Sequence, residues 1–335
     1  MSEKKTFRRV ILAAAIFAGA LAIPAAFAQQ QAATWSMAAP LPQVRNELQS
    51  ATVNGKIYAI GGAWTESKDG KDVDHFNDGL TTEYDPQTNK WRDRARGPEG
   101  LTHQGIAVLN GKIYVAGGFA AGRHMVPSAS VFSYDPATDK WQTLAPLSAP
   151  RGAPALAVVG GMIHAIGGRV MGEEATLATH EVYNPATNSW RPAAPLPTAR
   201  DHVGIFVVDG KIHVIGGRTT DANSNVGLHD IYDPATDKWA SGPPMPTPRS
   251  SVAFAEYHGM LFLAGGECRM AERKGYDEVE AYDTKNNRWL TFPPLPSPRH
   301  GFTAAVAADK LFFIGGSVPC GGAGKVADVL QLTIR

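Results

Sequence analysis

The sequence predicts an all-β protein of six similar four-stranded units, the last completed by a strand from the N-terminal end. Three observations predict it. Six Gly-Gly pairs begin at Gly61, Gly117, Gly167, Gly216, Gly265 and Gly315, at intervals of 56, 50, 49, 49 and 50 residues. Five Tyr/Trp pairs keep step with them: Tyr84/Trp91, Tyr134/Trp141, Tyr183/Trp190, Tyr232/Trp239 and Tyr282/Trp289. Finally, the two ends carry complementary fragments. TWSMAAPLP around Trp35 reads as a fourth strand with no first three before it, whereas the stretch from Arg299 to DVLQLTI lacks a Tyr-turn-Trp ending. Self-similarity at such a period marks a repeat architecture, and joining the two fragments would leave no open sheet edge.

The unit is clearest from Arg200 to Trp239. Val203 to Val208 and Lys211 to Ile215 flank Asp209-Gly210, and Asp-Gly supplies the positive φ angles of a tight hairpin. The second strand ends at Gly216-Gly217, a polar loop follows, and a third strand ends at Tyr232. The turn DPATDK then leads to Trp239, and it recurs as DPQTNK, DPATDK, NPATNS and DTKNNR.

This pattern resembles the kelch repeat, and the resemblance covers almost all of the chain after residue 28. It implies a six-bladed kelch β-propeller over residues 29–335, one four-stranded sheet per blade around a central channel, with the last blade closed by the N-terminal strand. It implies little about function, because one fold hosts many activities.

Before the first unit, Lys4, Lys5, Arg8 and Arg9 precede an apolar run from Val10 to Ala22 that is short for a membrane span. Ala26-Phe27-Ala28 fits a signal-peptidase site, so residues 1–28 are expected to be a signal peptide and the product periplasmic or secreted. Arg8-Arg9 raises the twin-arginine route, although its flanks fit ordinary secretion better. The segment carries four basic residues and one acidic residue. Of the 32 basic and 31 acidic residues in the whole chain, the remainder therefore has 28 and 30, formally −2. Near-neutrality gives no electrostatic reason to expect nucleic acid or an anionic membrane as partner. A monomer with no membrane span after cleavage is expected.

Within each unit the middle of the second strand is Tyr58, Tyr114, His164, His213, Phe262 or Phe312. Side chains alternate along a strand, so these six share one site between units, and His164 and His213 are expected to pack there as the aromatics do. The Gly-Gly pairs end strands and do not follow a phosphate-loop pattern. They suit close backbone approach.

In an up-and-down unit, the loop entering each first strand and the loop after each Gly-Gly share one end. The DPATDK turns lie at the other. The turns are nearly uniform, which suits a structural role, while the loops after Gly-Gly vary, which suits recognition. Sixteen residues before each first Gly stand Arg45, Leu101, Arg151, Arg200, Arg249 and Arg299. By the kelch resemblance, the positions after them and after Gly-Gly line the channel mouth. That expectation brings together Arg169, Arg218, Arg249 and Arg299 with Glu47, Asp201, Glu267, His103, His202 and His300. Arginine would hold a carboxylate through paired hydrogen bonds. The alternative for the five repeated arginines is that they tie sheets together through buried ion pairs or carbonyls.

His103, His202 and His300 come from three units and could converge, but no HxH or HExxH spacing is present, so no metal or other cofactor is expected. The kelch family includes copper radical oxidases, but six units and two cysteines argue against that reading. Cys268 and Cys320 follow Gly-Gly in adjacent units, and in an exported chain they are expected to form a disulfide, with two separate thiols as the alternative. The first unit's loop, Ala63 to Glu83, is longer than its counterparts. It reads as a lid with Trp64 as a stacking surface, a weak cation site around Asp72, Asp74, His75 and Asp78, or a solvated charged loop.

Two functions follow. The first is a ligand- or protein-binding module acting through the channel mouth on an acidic small molecule, glycan or peptide. The second rests on similarity to the sialic acid mutarotases of the kelch family, which imply a Glu after the glycine turn and an Arg six residues on. Glu267 and Arg273 occupy those places, as proton acceptor-donor and carboxylate holder respectively.

Overall fold

The computed structural model describes residues 31–334 apart from 77, 123, 172–175, 269–272 and 319–323. The expected residues 1–28 leader and Cys320 lie outside the described residues.

Among the described residues the chain is all strand, turn and coil. It forms six four-stranded antiparallel sheets and one small three-stranded sheet. The innermost strands of the six sheets are Gln49–Val53, Gly105–Leu109, Ala155–Val159, Gly204–Val208, Ala253–Tyr257 and Thr303–Ala307. Each packs against the next, and Thr303–Ala307 packs against Gln49–Val53. There the Ser50 hydroxyl lies 2.8 Å from that of Thr303, and the Thr52 hydroxyl donates to the Val306 carbonyl at 2.8 Å. The sixth sheet takes its outermost strand from Ala33–Met37, which pairs with Val329–Ile334 in the register Trp35 opposite Leu332. The hydrophobic core is divided into six clusters, each filling the space between two neighbouring sheets.

Three sets of contacts recur between sheets, and each explains a piece of the repeat. The first belongs to Gly-Gly. The N–H of each second glycine donates to the carbonyl of the residue at the repeated-Arg position in the next sheet: Gly62 to Leu101, Gly118 to Arg151, Gly168 to Arg200, Gly217 to Arg249, Gly266 to Arg299 and Gly316 to Arg45. The first glycine lies against that same carbonyl. A Cβ on Gly315 would stand 2.5 Å from the Arg45 oxygen, and Gly315 has φ +67°.

Tryptophan makes the second set. The indole N–H donates to the carbonyl four residues beyond the Trp of the preceding sheet. Trp91 reaches Ala39, Trp141 Ala95, Trp190 Ala145, Trp239 Ala194 and Trp289 Pro243, all at 2.8–3.1 Å, while Trp35 reaches Pro293 at 3.3 Å.

The third set explains the DPATDK turn. Its fifth residue (Asn89, Asp139, Asn188, Asp237 or Asn287) adopts positive φ, as Asn and Asp tolerate. Its side-chain oxygen accepts the hydroxyl of its own sheet's Tyr. In the first four sheets it also accepts the N–H four residues beyond the neighbouring Trp.

The six mid-strand residues do share one inter-sheet site. Tyr58 packs on Tyr134, Tyr114 on Tyr183, His164 on Tyr232, His213 on Tyr282 and Phe312 on Tyr84. The two histidines do more than fill space. His164 Nδ1 lies 2.9 Å from His180 Nε2, and His180 Nδ1 lies 2.9 Å from the Ala194 carbonyl. A carbonyl only accepts, so His180 carries its proton on Nδ1 and His164 donates to its Nε2. His213 and His229 repeat the relay, ending at Pro243. Each pair is neutral, because burial, and then the neighbouring imidazole, pushes His164 down to about 3 and His213 down to about 4.

The long first loop is the third strand set. Ala63–Lys68 and Lys71–His75 form a hairpin, joined by Arg45–Asn46. The charged loop expected from composition is therefore ordered β-structure. Its turn is Asp69-Gly70, both at positive φ, the same hairpin signal that marks the sheets. Trp64 stacks on His75 with ring centroids 4.2 Å apart and donates to Asp78 at 2.8 Å, so its faces and N–H serve the hairpin itself.

Two outcomes test these contacts. Gly315→Ala combines left-handed strain of about 1–2 kcal/mol with overpacking of about 1–3 kcal/mol. Gly55→Ala has φ +74° with nothing within 4 Å of the added carbon and should lose only the strain. Equal losses in urea unfolding would mean the close approach is unimportant. The buried histidines also make stability depend on pH. In the unfolded chain an imidazole protonates near 6.5, but in the folded chain only near 3–4. Below pH 6.5 the unfolded chain therefore binds more protons, and stability falls as pH falls through that window. His164→Tyr with His180→Val installs the types found at Tyr114 and Val131 and should flatten the decline measured between pH 6.5 and 4. An unchanged slope would assign it elsewhere.

Candidate functional site

The repeated arginine shapes the loops at one end of the sheets without entering the cavity there. Arg45, Arg151, Arg200, Arg249 and Arg299 are all fully buried. Their guanidiniums reach carbonyls of their own sheet: Arg45 to Ala59, Arg151 to Ala165, Arg200 to Val214, Arg249 to Leu263 and Arg299 to Gly315. Four also meet carboxylates, at 2.6 Å for Arg151–Glu181 and Arg200–Asp230, at 3.5 Å for Arg299–Asp328, and in a short Arg249–Glu280 pair. Arg249 and Arg299, nominated above as ligand groups, are thus committed to the sheets, as the alternative reading of the repeated arginines has it.

The next residue pairs across to the residue following Gly-Gly in every unit. Asn46 pairs with Ala63, Thr102 with Phe119, Gly152 with Arg169, Asp201 with Arg218, and His300 with Ser317, while Glu267 N–H donates to Ser250. The loops expected to share an end do so. The following residue is left-handed in all six units: Glu47, His103, Ala153, His202, Ser251 and Gly301 have φ of 49–60°. Backbone hydrogen bonds run from one to the next, with Glu47 N–H to Gly301, His103 to Glu47, Ala153 to His103 and Ser251 to His202. All six line one small cavity of ≈ 60 Å³, which Ile106, Leu156, Phe254 and Phe302 also line. A left-handed residue departs from the strand's alternation, and here it lets the short loop set that side chain on the cavity.

The polar residues at this mouth form a connected cluster. Asp201 accepts Arg218 Nε at 2.9 Å and lies 3.5 Å from Arg169 Nη1. Arg218 Nη1 pairs closely with Glu267, whose carboxylate also accepts the Ser251 hydroxyl at 3.4 Å. Arg218 Nη2 lies 3.4 Å from His202 Nε2. Arginine only donates, so His202 accepts on Nε2 and donates from Nδ1 to Asp201. Glu47 Oε2 stands 3.0 Å from His103 Nε2, and Thr102 Oγ1 stands 3.0 Å from His103 Nδ1.

Charge follows from this packing. Burial alone would raise Glu47, but His103, His300 and His202 outweigh it and hold the carboxyl well below its usual range. Burial, then Arg218, holds His202 well below its usual value. Burial would lower Arg218, yet Glu267 and Asp201 raise it.

The structure thus brings together Arg169, Arg218, Glu267, Asp201, His202, His103 and Glu47. Arg273 is exposed, and among the described residues it makes no direct hydrogen bond or ion pair with Glu267. His300 is buried beside Ser317 and does not line the cavity. His124 had no repeat position to mark it and was missed by the sequence. Its Nε2 lies 3.2 Å from His103 Nε2, and its ring centroid is 5.5 Å from that of His202. Cys268 is buried, while its expected partner lies outside the described residues.

Comparison with known proteins agrees with the repeat. The KLHDC2/KLHL20/DRC7 Kelch-repeats domain model matches residues 182–316, and the Kelch motif model matches residues 101–148 and 150–197. The chain is a kelch-repeat protein. Among curated relatives of this kelch-repeat protein, Kelch-like protein terF of Aspergillus terreus is 34% identical over 26% of this chain and 18% of its own. N-acetylneuraminate epimerase of Yersinia enterocolitica is 35% identical over 23% of this chain and 20% of its own. The matched segments therefore span about a fifth of each relative's length. The solved structure of YjhT aligns with a TM-score of 0.71 at 16% identity, covering 90% of this chain and 100% of that one, which shows the shared fold.

The two kinds of arginine should behave oppositely. Arg249→Ala strands Glu280 in the sheet and should cost about 3–5 kcal/mol of stability, the usual loss for a broken buried pair. Arg169→Ala should cost clearly less, because Asp201 keeps Arg218 and His202. Chemical denaturation compares them, and equal losses would refute the assignment.

Proposed function

We propose that this kelch-repeat protein is an exported six-bladed propeller, its ring closed by the Trp35 strand, that binds an acidic small molecule, glycan or peptide at the channel mouth. One observation carries the reading: Glu47, His103 and His202 line a cavity that apolar side chains also line, and Asp201, Arg169, Arg218 and Glu267 form an ion-paired cluster beside it. Convergent polar groups beside an apolar concavity are the mark of a ligand site. Arg169 is the group best placed to receive a carboxylate. It is partly exposed, and its contacts to described residues run from Nη1 alone, to Asp201 and the Thr220 carbonyl. Arg218 is already shared between Asp201 and Glu267, so it serves to position Glu267. Export would place Cys268 where pairing with Cys320 is favoured.

A second reading, a sugar mutarotase acting on N-acetylneuraminate, is favoured by the Yersinia relative, whose name states that activity. In it Glu267 would carry the proton. Arg169, ion-paired to Asp201 within the same cluster as Glu267, is a second candidate beside Arg273 for the sugar carboxylate.

Thermal-shift screening of the tag-free chain with acidic sugars and carboxylate peptides separates the readings. Arg169→Ala should weaken an acidic ligand by about 1.5–3 kcal/mol, the range for a charged hydrogen bond. NMR of N-acetylneuraminate anomer exchange should run at the spontaneous rate for a binding module. For a mutarotase it should be faster and fall to the spontaneous rate in Glu267→Gln. Full binding of the acidic ligand after Arg169 is removed would place the site elsewhere.

A further inference from the structure

Three imidazoles meet at one side of the mouth. His103, His124 and His202 each offer a ring nitrogen, and these atoms all lie within 4.8 Å of one another. His103 Nε2 and His124 Nε2 face each other at 3.2 Å, and Glu47 Oε2 is 3.0 Å from His103 Nε2. Nitrogens bound at about 2.0–2.1 Å to a tetrahedral ion stand roughly 3.3–3.4 Å apart, so the observed spacing is that of two ligands of a common ion. Two neutral imidazoles placed Nε2 to Nε2 share at most one proton between them, and a cation satisfies both lone pairs at once.

From this geometry we propose that His103, His124 and His202 form a three-histidine binding site for one divalent transition ion of the zinc class, its fourth position open to water. Three imidazoles suit a borderline ion better than calcium or magnesium, which prefer all-oxygen shells.

The surroundings of the ligands match what a metal site requires. A ligating histidine donates its other N–H to a carboxylate or similar acceptor, which fixes the ring and its tautomer. His202 does this through Nδ1 to Asp201, so Nε2 carries the lone pair, which an ion would take over from Arg218 Nη2 at 3.4 Å. His103 Nδ1 lies 3.0 Å from the Thr102 hydroxyl, which can accept as well as donate, so Nε2 can be released for the ion. Arg218 does not exclude a cation, because its charge is shared by Asp201 and Glu267. Counting Glu47, Asp201 and Glu267 against Arg169 and Arg218, the fixed charges sum to one negative. His103, His202 and Glu47 all line the cavity, which gives the ion its entry path.

The test uses the full exported chain, freed of any histidine tag and stripped with chelator. It is then equilibrated with zinc, desalted and measured for metal by mass spectrometry, with Co2+ substitution followed by visible absorption. The expected result is one zinc per chain, with the intense visible bands of tetrahedral cobalt. His124→Gln and His202→Gln should each lower retention at least tenfold, while His300→Gln should retain the ion. His124 lies in a loop outside the sheets, so its replacement tests the site without touching the core. Retention below one-tenth of an ion per chain in the parent protein, or equal retention when His103, His124 and His202 are all changed to Gln, would overturn the proposal. No organic ligand is used, so this result is independent of the binding function proposed above.

Discussion

One contact recurs between every pair of neighbouring sheets and sets the spacing of everything else: the second glycine's N–H donating to the carbonyl of the repeated-arginine position next door. The bond requires the first glycine to pass so close to that oxygen that no Cβ fits, at Gly315 as elsewhere. It also fixes where the arginine must sit, since its carbonyl faces the neighbour while its guanidinium satisfies carbonyls of its own sheet. A buried guanidinium is costly unless its donors are used. Here those donors tie the entry loop to the second strand, Arg249 to Leu263 and Gly265 for example. The glycine pair and the arginine are therefore one device divided between two sheets.

At the outer edge the tryptophan and the turn work in the same way. Each Trp N–H binds a carbonyl of the preceding sheet, and the Asx side chain of the turn gathers the Tyr hydroxyl and, in four sheets, a neighbouring N–H. Trp35, remote in sequence from residues 293 to 334, takes the sixth place in the series. Because the Trp and main-chain N–H bonds lie between sheets, no sheet completes its polar contacts alone. This is the hydrogen-bonding counterpart of the six cores, each of which also needs two sheets.

Most of this was legible in the sequence because the repeat writes each constraint several times. The Gly-Gly pairs, the Tyr/Trp spacing and the orphan Trp35 strand gave the sheets and the pairing of the chain's two ends. The site was legible only where it lay on repeat positions. Glu47, His103, Asp201, His202, Arg169, Arg218 and Glu267 were found by counting from Arg and Gly-Gly. Arg249 and Arg299 were on the same grid, but nothing in the count says whether a guanidinium turns into the sheet or out of it. Their burial depends on carboxylates, Glu280 and Asp328, that are distant in sequence. His124 escaped because its loop follows no repeat. The segment from Ala63 to His75 is solvated and charged, as its composition implied, and the Asp69-Gly70 turn was the signal for its strands that went unread.

The left-handed ring explains how a repetitive scaffold carries an unrepetitive site. The backbone hydrogen bonds at Glu47, His103, Ala153, His202, Ser251 and Gly301 are made by main-chain atoms, so they do not depend on the side chain at each place. What they fix is direction, since each residue lines the same cavity whatever its type. Chemistry can then be varied place by place. Glu47, His103 and His202 set polar groups on the cavity, while the small Ala153 and Gly301 between them leave it room. The asymmetry of the mouth thus comes from side-chain choice on a symmetric frame. A change at any of these six positions should alter what is bound far more than it alters the fold, unlike a change at the arginine two residues earlier.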